Sequence, residues 1–206
     1  MVKTQTYIRD LLSGKKPGDL VFAADFKGKG TEAAIRKSLS RLAAEGRIKR
    51  AAHGIYYLPK IDPLFGELQP SAEEIAQKIA DKERVRIQPT GAYALNKLGL
   101  STQVPMKMVY LTDGVQRLLT IGKVKVKFKA TTNKKLSMKG ELSKLIILAL
   151  EELDLKKIDT RREAKIRELL LKEDPEKLNH DLALAPGRIH DYIVKLLKTP
   201  SNDRVA

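Results

Sequence analysis

The segment from Gly30 to Leu58 restricts the fold more tightly than any other part of the chain. It follows a Gly28-Lys29-Gly30 turn, and Thr31 is placed to cap a helix, with Glu32 in a first turn where negative charge is favoured. A helical run over 33–45 comes next. Ile35, Leu39 and Leu42 recur at i, i+4 and i+7 and form one apolar stripe, while Arg36, Lys37, Ser40 and Arg41 fall mostly on the other side. Gly46 stands where a glycine just past a helix stops it. Two short β-like runs, 47–51 and 55–58, are joined by Ala52-His53-Gly54 and ended by Pro59, and a glycine in so tight a link predicts a hairpin.

A basic helix followed at once by a basic hairpin is the order of a winged helix-turn-helix. There the second helix enters the major groove and the hairpin lies on the backbone or in the minor groove. The preceding residues fit. Val2 to Leu12 predicts a first helix that buries Tyr7, Ile8, Leu11 and Leu12, and Leu20 to Phe26 predicts a short strand running into a short helix. On this reading Arg36, Lys37, Ser40 and Arg41 enter the major groove, Arg47, Lys49, Arg50 and His53 meet the backbone, and Thr31 at the helix start is counted among the DNA-binding residues. Arginine is the expected base reader because its fork matches guanine O6 and N7, whereas lysines position rather than specify. The plainer alternative is a surface helix with a solvated charged face packed on a hairpin.

Charge bears on that choice. The chain of 206 residues carries a formal +15, which points to polyanion partners, nucleic acid first. The excess is concentrated. Residues 1–60 hold thirteen Lys/Arg against five Asp/Glu, net +8, and residues 107–139 hold nine against Asp113 alone, again +8. A surface charged only for solubility would spread it more evenly. Within the second block, Lys123, Lys125, Lys127 and Lys129 alternate with Val124, Val126 and Phe128, so a strand would put the lysines on one face. Such a row either defends an edge strand against aggregation or contacts phosphates.

The rest of the chain suggests two domains, residues 1–60 and 61–206, joined by a Pro- and Gly-rich linker near 59–70. Ser71 and Glu74 predict a capping box opening a helix. A further helix is expected after Pro89-Thr90-Gly91, strands over 106–129, and helices from Gly140 onward, with a tail over 199–206. The expected class is α+β: a winged helix-turn-helix followed by a larger α+β domain with a small mixed or antiparallel sheet and a helical C-terminal part.

Much chemistry is absent from the sequence. There is no cysteine, which excludes disulfides, thiol catalysis and cysteine-ligated metal. His53, His180 and His190 have no metal-ligand spacing, and the pairs His180-Asp181 and His190-Asp191 are expected to be solvated surface residues rather than catalytic. No phosphate-binding loop, dinucleotide fingerprint or nucleophile elbow occurs. No catalytic residue, metal or cofactor is therefore expected. No apolar run is long enough to span a membrane and the start lacks a secretory signal, so a cytoplasmic location is expected.

The segment from Thr31 to Pro59 resembles the winged-helix half of the AbiEi-type antitoxins of type IV toxin–antitoxin (abortive infection) systems. The stretch Arg86 to Pro105 and the run Val109-Tyr-Leu-Thr-Asp-Gly114 resemble the start of their second domain, and the likeness covers about residues 1–150. It implies an autorepressor that binds inverted repeats in operator DNA and counteracts a nucleotidyltransferase toxin encoded next door. The toxin is a genetic partner that need not be bound directly. A winged-helix repressor of unrelated genes, or an RNA-binding accessory protein using the second basic block, are the competing readings.

Overall fold

The computed structural model describes residues 2–198; the tail expected over 199–206 lies outside them. The fold is mixed α+β and divides into two compact units, one of Met1–Lys82 with Leu119–Lys123, the other of Glu83–Leu118 with Val124–Ala206.

The first unit begins with helix α1 (Val2–Ser13), strand β1 (Leu20–Phe22) and a 3-10 turn at Ala23–Phe26, then helix α2 (Glu32–Ala44) and strands β2 (Lys49–Ala52) and β3 (Ile55–Tyr57). β3 lies between β1 and β2 in an antiparallel sheet, with Leu20 opposite Tyr57 and Lys49 also opposite Tyr57. The apolar stripe read from the sequence is the inner face of α2: Ile35, Leu39 and Leu42 pack with Ile8, Leu12, Val21, Phe26, Ile48 and Tyr56. Leu39 and Leu42 are fully buried, and removing either to alanine would cost on the order of 2–5 kcal/mol.

Residues 59–70 do not form a linker. They fold into an antiparallel ribbon of β4 (Lys60–Asp62) and β5 (Gly66–Leu68), with Ile61 opposite Glu67. Pro63 and Gly66, taken from the sequence as signs of a loose connection, instead flank its turn. The Asp62 carboxylate accepts hydrogen bonds from the Leu64 and Phe65 amides at 2.9 and 3.0 Å, which closes the turn. Helix α3 (Ala72–Glu83) then opens with the expected capping box. The Ser71 amide donates to Glu74 at 2.7 Å and the Glu74 amide to the Ser71 hydroxyl at 3.1 Å.

The compact unit therefore reaches Lys82, beyond the boundary expected at residue 60. The inner stripe of α3, Ile75, Ala76, Ile79 and Ala80, is buried. A fragment starting at residue 61 carries this stripe but leaves behind most of the compact unit to which α3 belongs. A fragment of residues 61–206 is accordingly expected to be more aggregation-prone than one of residues 83–206 when sedimentation of the two is compared. Equal solubility would argue that α3 needs nothing from residues 1–60.

The second unit contains β6 (Ile87–Thr90), α4 (Gly91–Lys97), β7 (Lys107–Thr112), β8 (Arg117–Ile121), β9 (Val124–Ala130), a short α5 (Asn133–Leu136), α6 (Glu141–Glu151), α7 (Thr160–Leu171), α8 (Pro175–Leu184) and α9 (Gly187–Lys198). Residues 119–123 of this stretch fall in the first unit. The sheet runs β6-β7-β9-β8, with β6 antiparallel and β9 parallel to β7. The helical core is built on α6, whose Ile146, Ile147, Ala149 and Leu150 pack with Ile166 and Leu170 of α7, Leu182 of α8 and Ile189 and Ile193 of α9.

Candidate nucleic-acid interface

On α2, Arg36, Lys37, Ser40 and Arg41 are all exposed, while Ile35, Ser38, Leu39 and Leu42 are buried. Thr31 caps this helix as expected, its hydroxyl accepting from the Ala34 amide at 3.2 Å. The loop before it is held against α1: the Thr4 hydroxyl donates to the Lys29 carbonyl at 3.0 Å. Gly30 approaches Thr4 so closely that a Cβ would stand 2.6 Å from its hydroxyl, at a φ of +153°. A side chain there would push the start of α2 away from α1.

The basic side chains differ in what already holds them. Arg36 lies 3.6 Å from Glu32 one turn earlier, a pair so exposed that it is worth little. Arg41 donates to the Gln5 side chain of α1 at 3.4 Å. Arg47 lies 3.5 Å from Glu45, which also meets Arg9 at 3.5 Å. Lys49 is paired with Glu67 of β5, and the Tyr57 hydroxyl donates to the same carboxylate at 3.1 Å. The Lys49 ammonium holds the Glu67 carboxyl below the ordinary glutamate range. Of the hairpin residues, Lys49 is thus the one committed to a cross-strand pair. At the hairpin turn Arg50 folds back, its Nε donating to the Ala52 carbonyl at 3.4 Å and its Nη2 lying 3.3 Å from Nδ1 of the exposed His53.

In the second basic block the alternation holds, but the row differs from the expected four. Lys123 sits in the turn ahead of β9 and falls in the first unit. Lys125, Lys127 and Lys129 are exposed on β9, while Val126 and Phe128 are buried on its other side. Register pairs put Lys107 of β7 beside Lys125, Val109 beside Lys127 and Leu111 beside Lys129. In a parallel pair such neighbours share a face, so Lys107 joins the row. Sequence spacing could not reveal this, because it depends on which strand lies next to β9. Leu111, at the other end of β7, is buried with Leu136 of α5 and Leu148 of α6. β9 is also not an edge strand: it lies between β7 and β8. The lysines therefore do not guard an open edge.

The aromatic side chains of these strands are on the opposite face. Tyr110 stacks on Phe128 with centroids 5.9 Å apart and planes at 21°, and Tyr93 of α4 meets Tyr110 edge-on at 5.5 Å. The lysine face of β7 and β9 thus offers charge without a ring on which a base could stack.

Of the two histidine–aspartate pairs, His190 and Asp191 are solvent-exposed as expected, whereas Asp181 is fully buried. Its oxygens accept from the Lys139 amide at 2.7 Å, the Gly140 amide at 2.9 Å, the Ser143 hydroxyl at 2.6 Å and His180 Nδ1 at 3.0 Å. Glu173 accepts from the Leu142 and Ser143 amides at 2.7 and 3.1 Å. Two carboxylates from other elements thus cap α6, whose own cap residue is Gly140. A Cβ on Gly140 would stand 2.0 Å from the Ser143 hydroxyl and 2.5 Å from a Glu173 carboxylate oxygen, so a side chain there would displace both capping groups.

Burial alone would raise the Asp181 carboxyl, but the donors from Ser143, His180, Lys139 and Gly140 outweigh it and hold the pKa below the ordinary aspartate value. A depressed carboxyl stabilises the fold above its unfolded pKa, about 3.9, and that contribution is lost as pH falls through the folded value. Asp181→Ala is therefore expected to destabilise the second unit by about 3 kcal/mol at neutral pH. Denaturant melts should show this gap between wild type and variant narrowing below about pH 4. A gap independent of pH would mean that the carboxylate is not the stabilising form.

The geometry defines a mixed α+β protein that presents a basic helix-and-hairpin surface on one unit and a lysine-bearing sheet face on the other. The chain belongs to a family described as a family of unknown function (DUF6088), which matches residues 7–178. Among solved structures it is similar to the crystal structure of the Rv2827c protein from Mycobacterium tuberculosis, with a TM-score of 0.50 and 16% identity over 96% of this chain and 76% of that one. At that identity the likeness extends to the fold alone. A comparison with curated proteins gives no match. Among the described residues, no helix is long and apolar enough to cross a membrane.

Proposed function

We propose that the chain is a cytoplasmic DNA-binding autorepressor and antitoxin of the AbiEi type, acting by occupancy of operator DNA rather than by catalysis. In this reading α1, β1 with its 3-10 turn, α2 and the β2–β3 hairpin form a winged helix-turn-helix, and α2 is the recognition helix. The observation that carries it is the outer face of α2. Arg36, Lys37, Ser40 and Arg41 stand in solvent on a capped helix whose inner face is locked into a core and whose end runs directly into a hairpin tipped by Arg50 and His53. Arg36 and Arg41 read bases, the hairpin meets the backbone, and the lysine face of the second unit adds sequence-independent phosphate contacts.

The inverted repeats and the nucleotidyltransferase toxin come from the AbiEi resemblance. A reading frame next to this one encoding such an enzyme would support the antitoxin role, and its absence would favour a winged-helix repressor of unrelated genes. Duplex DNA is preferred over single-stranded RNA because sequence-specific RNA recognition stacks unpaired bases on aromatic rings, and the lysine face has none. Footprinting of the full chain on the duplex upstream of its own gene, with an RNA competitor of the same sequence at matched salt, tests the reading. Protection of a repeated site that RNA does not displace is expected. Equal competition by RNA would overturn it.

A further inference from the structure

We propose that the β4–β5 ribbon is a wedge whose Leu64–Phe65 tip inserts between base pairs of duplex DNA bound by the unit that carries α2. The proposal rests on the DNA-binding reading above. Leu64 is 88% exposed, Phe65 80% and Ile61 69%, the densest group of exposed large apolar side chains among the described residues. They are also held in place. The Asp62 carboxylate fixes the turn through the Leu64 and Phe65 amides, and those donors keep it below the ordinary aspartate range. Glu67, opposite Ile61, ties the ribbon to Lys49 of β2 and Tyr57 of β3. The tip is therefore an ordered projection from the unit that carries α2, at the end of the β2–β3 hairpin away from its turn.

A fixed apolar tip standing in water needs an occupant. The three side chains expose on the order of 400 Å² together, about half of what each partner contributes to a standard protein interface. That is too little to hold a second copy or another protein by itself. It matches the scale of one unstacked base step, into which Phe, Leu and Pro wedges insert when a protein kinks DNA. The surroundings favour the same occupant: residues 1–60 carry a net +8, Lys60 at the root of the ribbon is exposed, and the one carboxylate of the tip is turned inward to the backbone. Intercalation of this kind forms and breaks no covalent bond; the cost of unstacking is met by contacts to the bent duplex.

The test uses the full chain and the double variant Leu64→Ser, Phe65→Ser. Both side chains are exposed, so thermal unfolding should match wild type. The probes are a short random-sequence duplex with a fluorophore at each end and the same duplex carrying one central mismatch, where unstacking is cheaper. Wild type should shorten the end-to-end distance and favour the mismatched duplex about tenfold. The variant should bind the intact duplex with an unchanged salt dependence but lose both the bend and the preference. Bend and preference retained in the variant would overturn the wedge. So would a wild-type dimer that the variant dissolves, which would assign the tip to a second copy, or variant-sensitive binding to anionic phospholipid vesicles without DNA bending. Wild type that binds neither duplex would refute the DNA-binding reading itself, whereas wild type that binds without bending refutes the wedge alone.

Discussion

Replacing Arg36 and Arg41 together with alanine is expected to weaken operator binding by about 2–6 kcal/mol, since each bidentate base contact is worth roughly 1–3 kcal/mol. Sequence preference should relax in parallel, so affinity for random-sequence duplex should fall much less than affinity for the operator. The fold should survive. Both side chains lie outside the stripe of Ile35, Leu39 and Leu42 that holds α2 in place. The interactions they give up, a 3.6 Å pair to Glu32 and a 3.4 Å hydrogen bond to Gln5, are exposed and worth a few tenths of a kcal/mol. Titration of operator and random duplexes, with a denaturant melt beside it, separates the outcomes. Unchanged operator affinity would remove α2 from the interface. A variant that melts early would show that Arg41 and Gln5 matter to the packing of α2 on α1.

Changing Lys107, Lys125, Lys127 and Lys129 together to glutamine should flatten the salt dependence of log K by up to ~3.6, because each phosphate neutralised contributes about 0.9 to the slope. Alternate residues along β9 are ~6.6–6.8 Å apart, a spacing that can follow successive phosphates, and Lys107 widens the row by one strand. Fewer contacts would give a proportionally smaller change. Preference among sequences should stay with α2, since these side chains carry charge but no base-reading fork. Because β9 is flanked on both sides, the variant should not become aggregation-prone as an unprotected edge strand would. A salt series on the two proteins decides the matter: an unaltered slope would confine the DNA contacts to the first unit.

Where periodicity and capping act within one element, the sequence determined the result. The stripe and cap of α2, the Ser71–Glu74 box and the alternation of β9 are local consequences of side-chain spacing and of unsatisfied backbone groups at helix ends, and each stands where the residues put it. The basic face of the candidate interface was legible for the same reason: a helix with one apolar stripe must turn its remaining side chains to solvent.

Only the tertiary structure decided which elements meet. Pro63 and Gly66 suit a loose linker as well as a tight turn, and it took strand pairing between 60–62 and 66–68 to choose the ribbon. Lys49 reads as a free cation until Glu67, eighteen residues on, is brought to it. Lys107 joins the lysine face only because β7 lies parallel to β9, a crossover with no local signature. Asp181 looks like a solvated neighbour of His180 until α8 is packed against α6, just ahead of which the Lys139 and Gly140 amides donate to it. A helix stripe or a cap is a short-range preference written in adjacent residues. Which amide finds which carboxylate across the core depends on how all the elements pack together at once.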